Sequence, residues 1–128
     1  MPVLMRDEAW RMAREWCDAW NRGDLDAVMA HYADEVELNS PTAVKRWGVA
    51  DGWLRGKDKV RSNFAIGIRT PGLRFDLVEV LLGVNAMCVI YRRETGALVC
   101  DAVEVDDDGR ARRVVACYGE PREAGRTG

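Results

Sequence analysis

The sequence predicts an α+β domain in which three N-terminal helices pack on a curved antiparallel sheet. Three observations predict it. Helical spacing of apolar residues is confined to residues 7–22, 25–32 and 57–68. From residue 73 to residue 118 the pattern alternates in strands separated by short turns. The run from Trp16 to Asp26 writes a helix end, a turn and a second helix start in one line. A sheet that follows its helices must bury one face, and the helices can cover it. Curved around the first helix, such a sheet leaves a cone-shaped α+β barrel with an open mouth.

Residues 7–22 form the first predicted helix, with Trp10, Ala13, Trp16, Cys17 and Trp20 three and four residues apart. Gly23 can take positive φ and close it, and Asp24 can cap the next helix with its carboxylate. That helix, 25–32, carries Leu25, Val28, Met29 and Tyr32 on its apolar side. Val36, Leu38 and Ser40 then alternate with Glu35, Glu37 and Asn39, a strand with one polar face. Residues 41–56 read as irregular, broken by Pro41, Gly48, Gly52 and Gly56, yet they hold Trp47 and Trp53. Helical spacing returns through Val60, Phe64 and Ile68. Strands follow at 73–83, 86–95, 97–106 and 110–118, and the Asp106-Asp107-Asp108-Gly109 turn is a strong hairpin signal. The domain spans 1–118, and the polar residues 119–128 are expected to be a flexible tail.

Composition narrows the function. A chain of 128 residues is one domain, with room for a core and a small cavity. A net charge of −2 with interspersed signs argues against a nucleic-acid binder. No apolar run is long enough for a membrane span, and the opening residues carry no apolar signal core. The expectation is a cytoplasmic protein. Cys17, Cys88, Cys100 and Cys117 have neither zinc-site nor redox spacing and are expected as reduced core thiols. Asp106-Asp107-Asp108 is a solvated hairpin tip rather than a metal loop, and no phosphate-binding glycine motif occurs. No metal and no cofactor are expected.

The chain resembles the nuclear transport factor 2-like superfamily in its SnoaL-like and ketosteroid isomerase-like branch. The resemblance rests on Trp20-Asn21-Arg22-Gly23-Asp24-Leu25-Asp26, Tyr32-Ala33-Asp34-Glu35-Val36, Ser40-Pro41, Gly56-Lys57-Asp58 and Asp106-Asp107-Asp108-Gly109-Arg110. It spans about residues 7–118. It implies a curved sheet, a conical pocket for a small hydrophobic or aromatic ligand, and a homodimer. Ketosteroid isomerase uses a tyrosine on the first helix, an aspartate base before a proline and a protonated aspartate on a late strand. Those roles fall here on Trp16, Ser40 and Asp101, and only Asp101 keeps the catalytic residue type. Limonene-epoxide hydrolase relies on a last-strand aspartate, and that position is near Ala116.

Asp101 is the leading catalytic candidate. Strand alternation puts it on the face of Val99, Val103 and Val105. A carboxyl there is costly unless paired or neutral, and burial raises its pKa toward acid–base use. The alternative is a structural aspartate held by an arginine or by backbone N–H groups. Either Arg92 or Arg93 faces the same side, where it could bind an anionic group or pair with Asp101. Cys88 and Ile90 share a face with Arg92, which points to Arg92 as the inward catalytic partner.

Trp16, Trp20, Trp53 and Phe64 are candidate ligand contacts, with Trp53 as the pocket rim; core or dimer packing is the competing role for the tryptophans. Tyr118 alternates with Val114 and Ala116, which can aim its hydroxyl into the cone. Ser40 can bond a ligand or the local backbone before Pro41. His31, at a helix end, is given a structural role in which its cation meets the helix dipole. Two functions follow. One is a cofactor-independent isomerase, cyclase or hydratase acting on a hydrophobic carbonyl compound. The other is a non-catalytic ligand-binding or dimerisation module of the same fold.

Overall fold

The computed structural model describes residues 3–122. The order is α1 (Arg6–Asn21), α2 (Leu25–Met29), β1 (Tyr32–Asn39), α3 (Pro41–Trp47), β2 (Trp53–Arg55) and α4 (Lys57–Gly67). Four strands complete it: β3 (Phe75–Leu82), β4 (Ala86–Arg93), β5 (Leu98–Val105) and β6 (Ala111–Tyr118). The α+β class and the four C-terminal strands match the sequence reading to within two residues at most ends.

Three differences have clear causes. Residues 41–47 are helical rather than irregular, because the Ser40 side chain caps the helix and Pro41 sits at its first position. The helix stops where Gly48 turns left-handed at φ 66°. Leu54 then pairs with Leu38, which makes residues 53–55 a short edge strand. The second helix ends at Met29, not 32, and Tyr32 opens β1 instead. The helices therefore number four among the described residues, not three.

The six strands form one open sheet in the order β2-β1-β6-β5-β4-β3. All neighbours run antiparallel except β1 and β6, which are parallel. The sheet is thus not wholly antiparallel. The parallel pair arises because the chain leaves β1 through α3, β2 and α4 and then three successive hairpins, the last of which brings β6 back beside β1. Register shifts in β1, β3 and at the β5–β6 end add bends to the strands.

The helices cover the inner face. α1 buries Met12, Ala13, Trp16, Cys17 and Trp20 as its spacing requires. Its end is tied to the sheet by Asn21, whose amide donates to the Phe75 carbonyl at 2.9 Å and accepts from the Phe75 N–H at 2.8 Å. Gly23, at φ 70°, makes the turn, and Asp24 accepts from the Ala27 N–H at 3.0 Å to start α2.

The outer face holds three of the four cysteines, so the expectation of core thiols holds only for Cys17. Cys88 and Cys100 are half-buried and Cys117 is exposed; all four are free. Alternation explains it, since each sits one residue out of phase with the buried set of its strand. Residues 119–122 run on beside the β4–β5 turn, where the Arg122 N–H donates to the Thr95 carbonyl at 2.9 Å. The remainder of the expected tail, residues 123–128, lies outside the described residues.

Candidate ligand chamber around Asp101

Asp101 lies on the inner face of β5, 6% exposed. Its strand neighbours there are Val99 and Val103, and across the ladder it faces Val89 of β4 and Ala116 of β6. Burial raises its carboxyl from 3.8 to about 7, against the opposing pull of a Tyr91 hydrogen bond and the Arg93 charge. The Tyr91 hydroxyl donates to Asp101 Oδ1 at 3.3 Å. The phenol itself is held far above its ordinary value by burial and by the nearby carboxyl, so it remains a donor.

Two small cavities meet at Trp16 and Asp101, which line both. One is apolar, about 30 Å³, walled by Met12, Met87, Val89 and Val103 and reaching His31. The other is polar, about 40 Å³, and reaches Ser40, Arg46, Asn63, Arg93 and Tyr118. Each holds a few waters or one small polar group. Anything larger must displace side chains at the open end, where Tyr118 is 42% exposed. The wall between cavity and helices is aromatic. Phe75 stacks on Tyr91 at 4.6 Å and on Trp20 at 4.8 Å, while Trp16 meets both Phe75 and Tyr91 edge-on.

The structure brings most of the expected residues together. Trp16, Trp20, Ser40, Phe64, Asp101 and Tyr118 all line the polar cavity. The positions carried over from ketosteroid isomerase, Trp16, Ser40 and Asp101, therefore surround one space. Trp16 differs from the role implied for it, because its indole N–H is already given to the Tyr32 hydroxyl at 2.9 Å. Ser40 has two attachments: its Oγ accepts from the Thr42 N–H at 3.2 Å and sits 2.8 Å from the Thr42 hydroxyl.

Two placements correct the sequence reading. Arg92 points away from Asp101 and donates to the Gly96 carbonyl at 2.8 Å. The inward arginine is Arg93, in phase with Met87, Val89 and Tyr91. Cys88 and Ile90 misled because the outer face of this sheet is also apolar. Trp53 is not a rim residue of this chamber. Leu54 takes the inward direction of β2, so Trp53 turns outward, where Arg113 lies over its ring at 4.6 Å. There it lines a separate surface cleft with Trp47. His31 also departs from expectation: burial lowers its pKa, which disfavours the cation at this position.

Sequence reasoning missed Tyr91, Arg46, Thr42 and Asn63. Tyr91 was legible in principle, two residues from Arg93 on a strand paired with Asp101's. The other three depend on α3, a helix hidden among breakers. Asn63 is 1% exposed and ties that helix to α4. Its amide donates to the Thr42 hydroxyl at 2.9 Å, and its oxygens accept from Arg46 and Trp47.

Among the described residues no cluster of side chains suited to a metal ion occurs, and no helix is long and apolar enough to cross a membrane. Residues 13–118 match the SnoaL-like domain family. A SnoaL-like protein of unknown function from Burkholderia thailandensis E264 is 35% identical, with a TM-score of 0.88 over 93% of this chain and 100% of that one. A protein of unknown function with a cystatin-like fold from Methylobium petroleophilum PM1 is 19% identical, with a TM-score of 0.72 over 97% and 84% of the two chains. An NTF-2 like protein of unknown function from Burkholderia xenovorans LB400 is 20% identical, with a TM-score of 0.70 over 94% and 91%. The last two share the fold alone. No curated protein matches the chain.

Proposed function

The chain belongs to the SnoaL-like domain family, and from that premise we propose that it is a small-molecule acid–base enzyme with Asp101 as its proton carrier. The observation that carries this reading is a buried carboxyl raised to about 7, bordering two cavities. A group with that pKa holds both protonation states near neutrality, which is what proton transfer in both directions needs. The carboxylate form takes a proton from the carbon beside a carbonyl. The carboxylic acid form returns one to the same or another carbon. Tyr91 steadies the carboxyl through its hydroxyl, and Arg93, in the role sequence gave to Arg92, faces the oxygen on which negative charge develops. Phe64, Trp16 and Trp20 exclude water and hold the apolar part of the substrate. No cofactor enters this scheme.

The test is proton exchange at carbon. Cyclopentanone in deuterated buffer, followed by NMR, is expected to exchange its α-protons faster with the protein than without it. Asp101→Asn is expected to return the rate to that of buffer. Equal rates for the wild type and Asp101→Asn would contradict the enzymatic reading. The small cavity volume, about 40 Å³, favours a second reading, a binding module without turnover. A protein that binds the ketone and leaves its protons in place would be that module. The outer sheet face, where Leu81 is 51% exposed and Cys88, Ala102 and Val115 adjoin it, is proposed as a homodimer surface.

A further inference from the structure

We propose that Arg46 and Arg93 form an anion-binding subsite in the polar cavity, and that the ligand carries a carboxylate. This rests on the reading of the chamber as a small-molecule site and adds the chemical class of its occupant. Both residues line the same 40 Å³ space as Asp101, from different elements: Arg46 from α3 and Arg93 from β4.

The two arginines differ in how their charge is answered. Arg93 already has a carboxylate partner along one edge. Its Nε and Nη2 donate to the two oxygens of Glu94 at 2.9 and 3.0 Å, and its guanidinium lies 4.8 Å from the Phe75 ring centre. Arg46 differs. Its Nη1 donates to the carbonyl and side-chain oxygens of Asn63 at 3.0 and 3.2 Å, both uncharged. Among the described residues, none of the ion pairs within 4.0 Å includes Arg46. Its guanidinium is half-buried against Gly67, where a side chain on the glycine would start 3.4 Å from Nη1 and 3.5 Å from Nη2.

A half-buried guanidinium cannot shed its proton, so the cavity carries a positive charge that the protein leaves unanswered. Burial favours the uncharged form of Asp101, so near neutrality its carboxylate answers that charge only in part. A carboxylate fits in charge, in planarity and in size, since one such group fills the closed part of the cavity. Its apolar remainder would extend past Trp20 and Phe64 toward the open end at Tyr118. Trp20 adds a second unanswered donor: it is 5% exposed, it lines the cavity, and its indole N–H has no partner among the described residues. An acceptor oxygen in this cavity is the kind of group it lacks.

The test compares two probes of one shape and different charge, phenylacetate and phenylacetamide, by tryptophan fluorescence and indole N–H chemical shifts. The wild type is expected to bind the acid at least tenfold more tightly than the amide. Arg46→Gln is expected to bring that ratio close to one while amide binding persists, and Arg46→Lys to retain part of the preference. Should Arg46→Gln not fold, as read by circular dichroism, a ratio in Arg46→Lys equal to that of the wild type overturns the subsite. Equal binding of acid and amide by the wild type also overturns it, and leaves the chamber reading intact. Failure of both probes to bind overturns the subsite and the small-molecule reading together.

Discussion

Asp101 is a carboxyl whose surroundings disfavour its charge, and this has a consequence for stability. Its pKa rises from an unfolded value near 3.8 to about 7 on folding. The folded state therefore binds more protons than the unfolded one between those limits. The stabilisation is complete below pH 3.8 and is lost as pH rises through 7. At about 1.4 kcal/mol per unit, the loss across the window is about 4 kcal/mol. Urea unfolding of the wild type between pH 4.5 and 7.5 should show this decline, and Asp101→Asn, neutral throughout, should lack it. Tyr91→Phe removes the hydrogen bond that favours the carboxylate, so it is expected to raise the Asp101 pKa further. The side-chain carboxyl resonance, followed against pH, measures that shift. Asp101 was legible in the sequence because one acidic residue interrupted an alternating row of valines. The choice between Arg92 and Arg93 was not, because both faces of β4 carry apolar residues and parity alone has no sign.

At the level of elements, one side chain hydrogen-bonds α1 to β3, beside the packing of Trp16 and Trp20 on Phe75. Asn21 makes two hydrogen bonds to the Phe75 backbone, and Phe75 in turn stacks on Tyr91 beside the chamber. Asn21→Ala leaves both backbone groups without that partner and is expected to destabilise the fold by about 1–3 kcal/mol. Guanidinium denaturation checks it, and the loss should exceed that of the exposed control Arg11→Ala, whose ion pair with Glu15 is exposed. The strands β3 to β6 were legible because two-residue alternation and turn residues agreed. α3 was hidden because Pro41 and Gly48 signal breaks. Here they are the start and stop of a seven-residue helix rather than interruptions of one. With that helix went Arg46 and Thr42, so those two polar groups of the cavity could not be foreseen.

For the whole molecule, one open six-stranded sheet presents an inner face to the helices and an outer face to solvent. The outer face, proposed above as a homodimer surface, carries Val78 and Leu81, each about half exposed. Sedimentation is expected to show a dimer, and Ala102→Glu at the centre of that face a folded monomer. A monomeric wild type at high micromolar concentration would contradict the dimer. The cone itself follows from order alone, helices first and sheet last, which is why fold class was readable while the chamber's charge was not. The chamber depends on side chains from α1, α3, α4 and five strands meeting at one point, a long-range arrangement that local pattern does not encode. Its chemistry turns on a carboxyl sheltered from water, and the direct measurement is the NMR titration of the Asp101 side-chain carboxyl in the wild-type protein. A midpoint near 7 is the predicted result. A midpoint near 3.9, that of a solvated aspartate, would contradict the account.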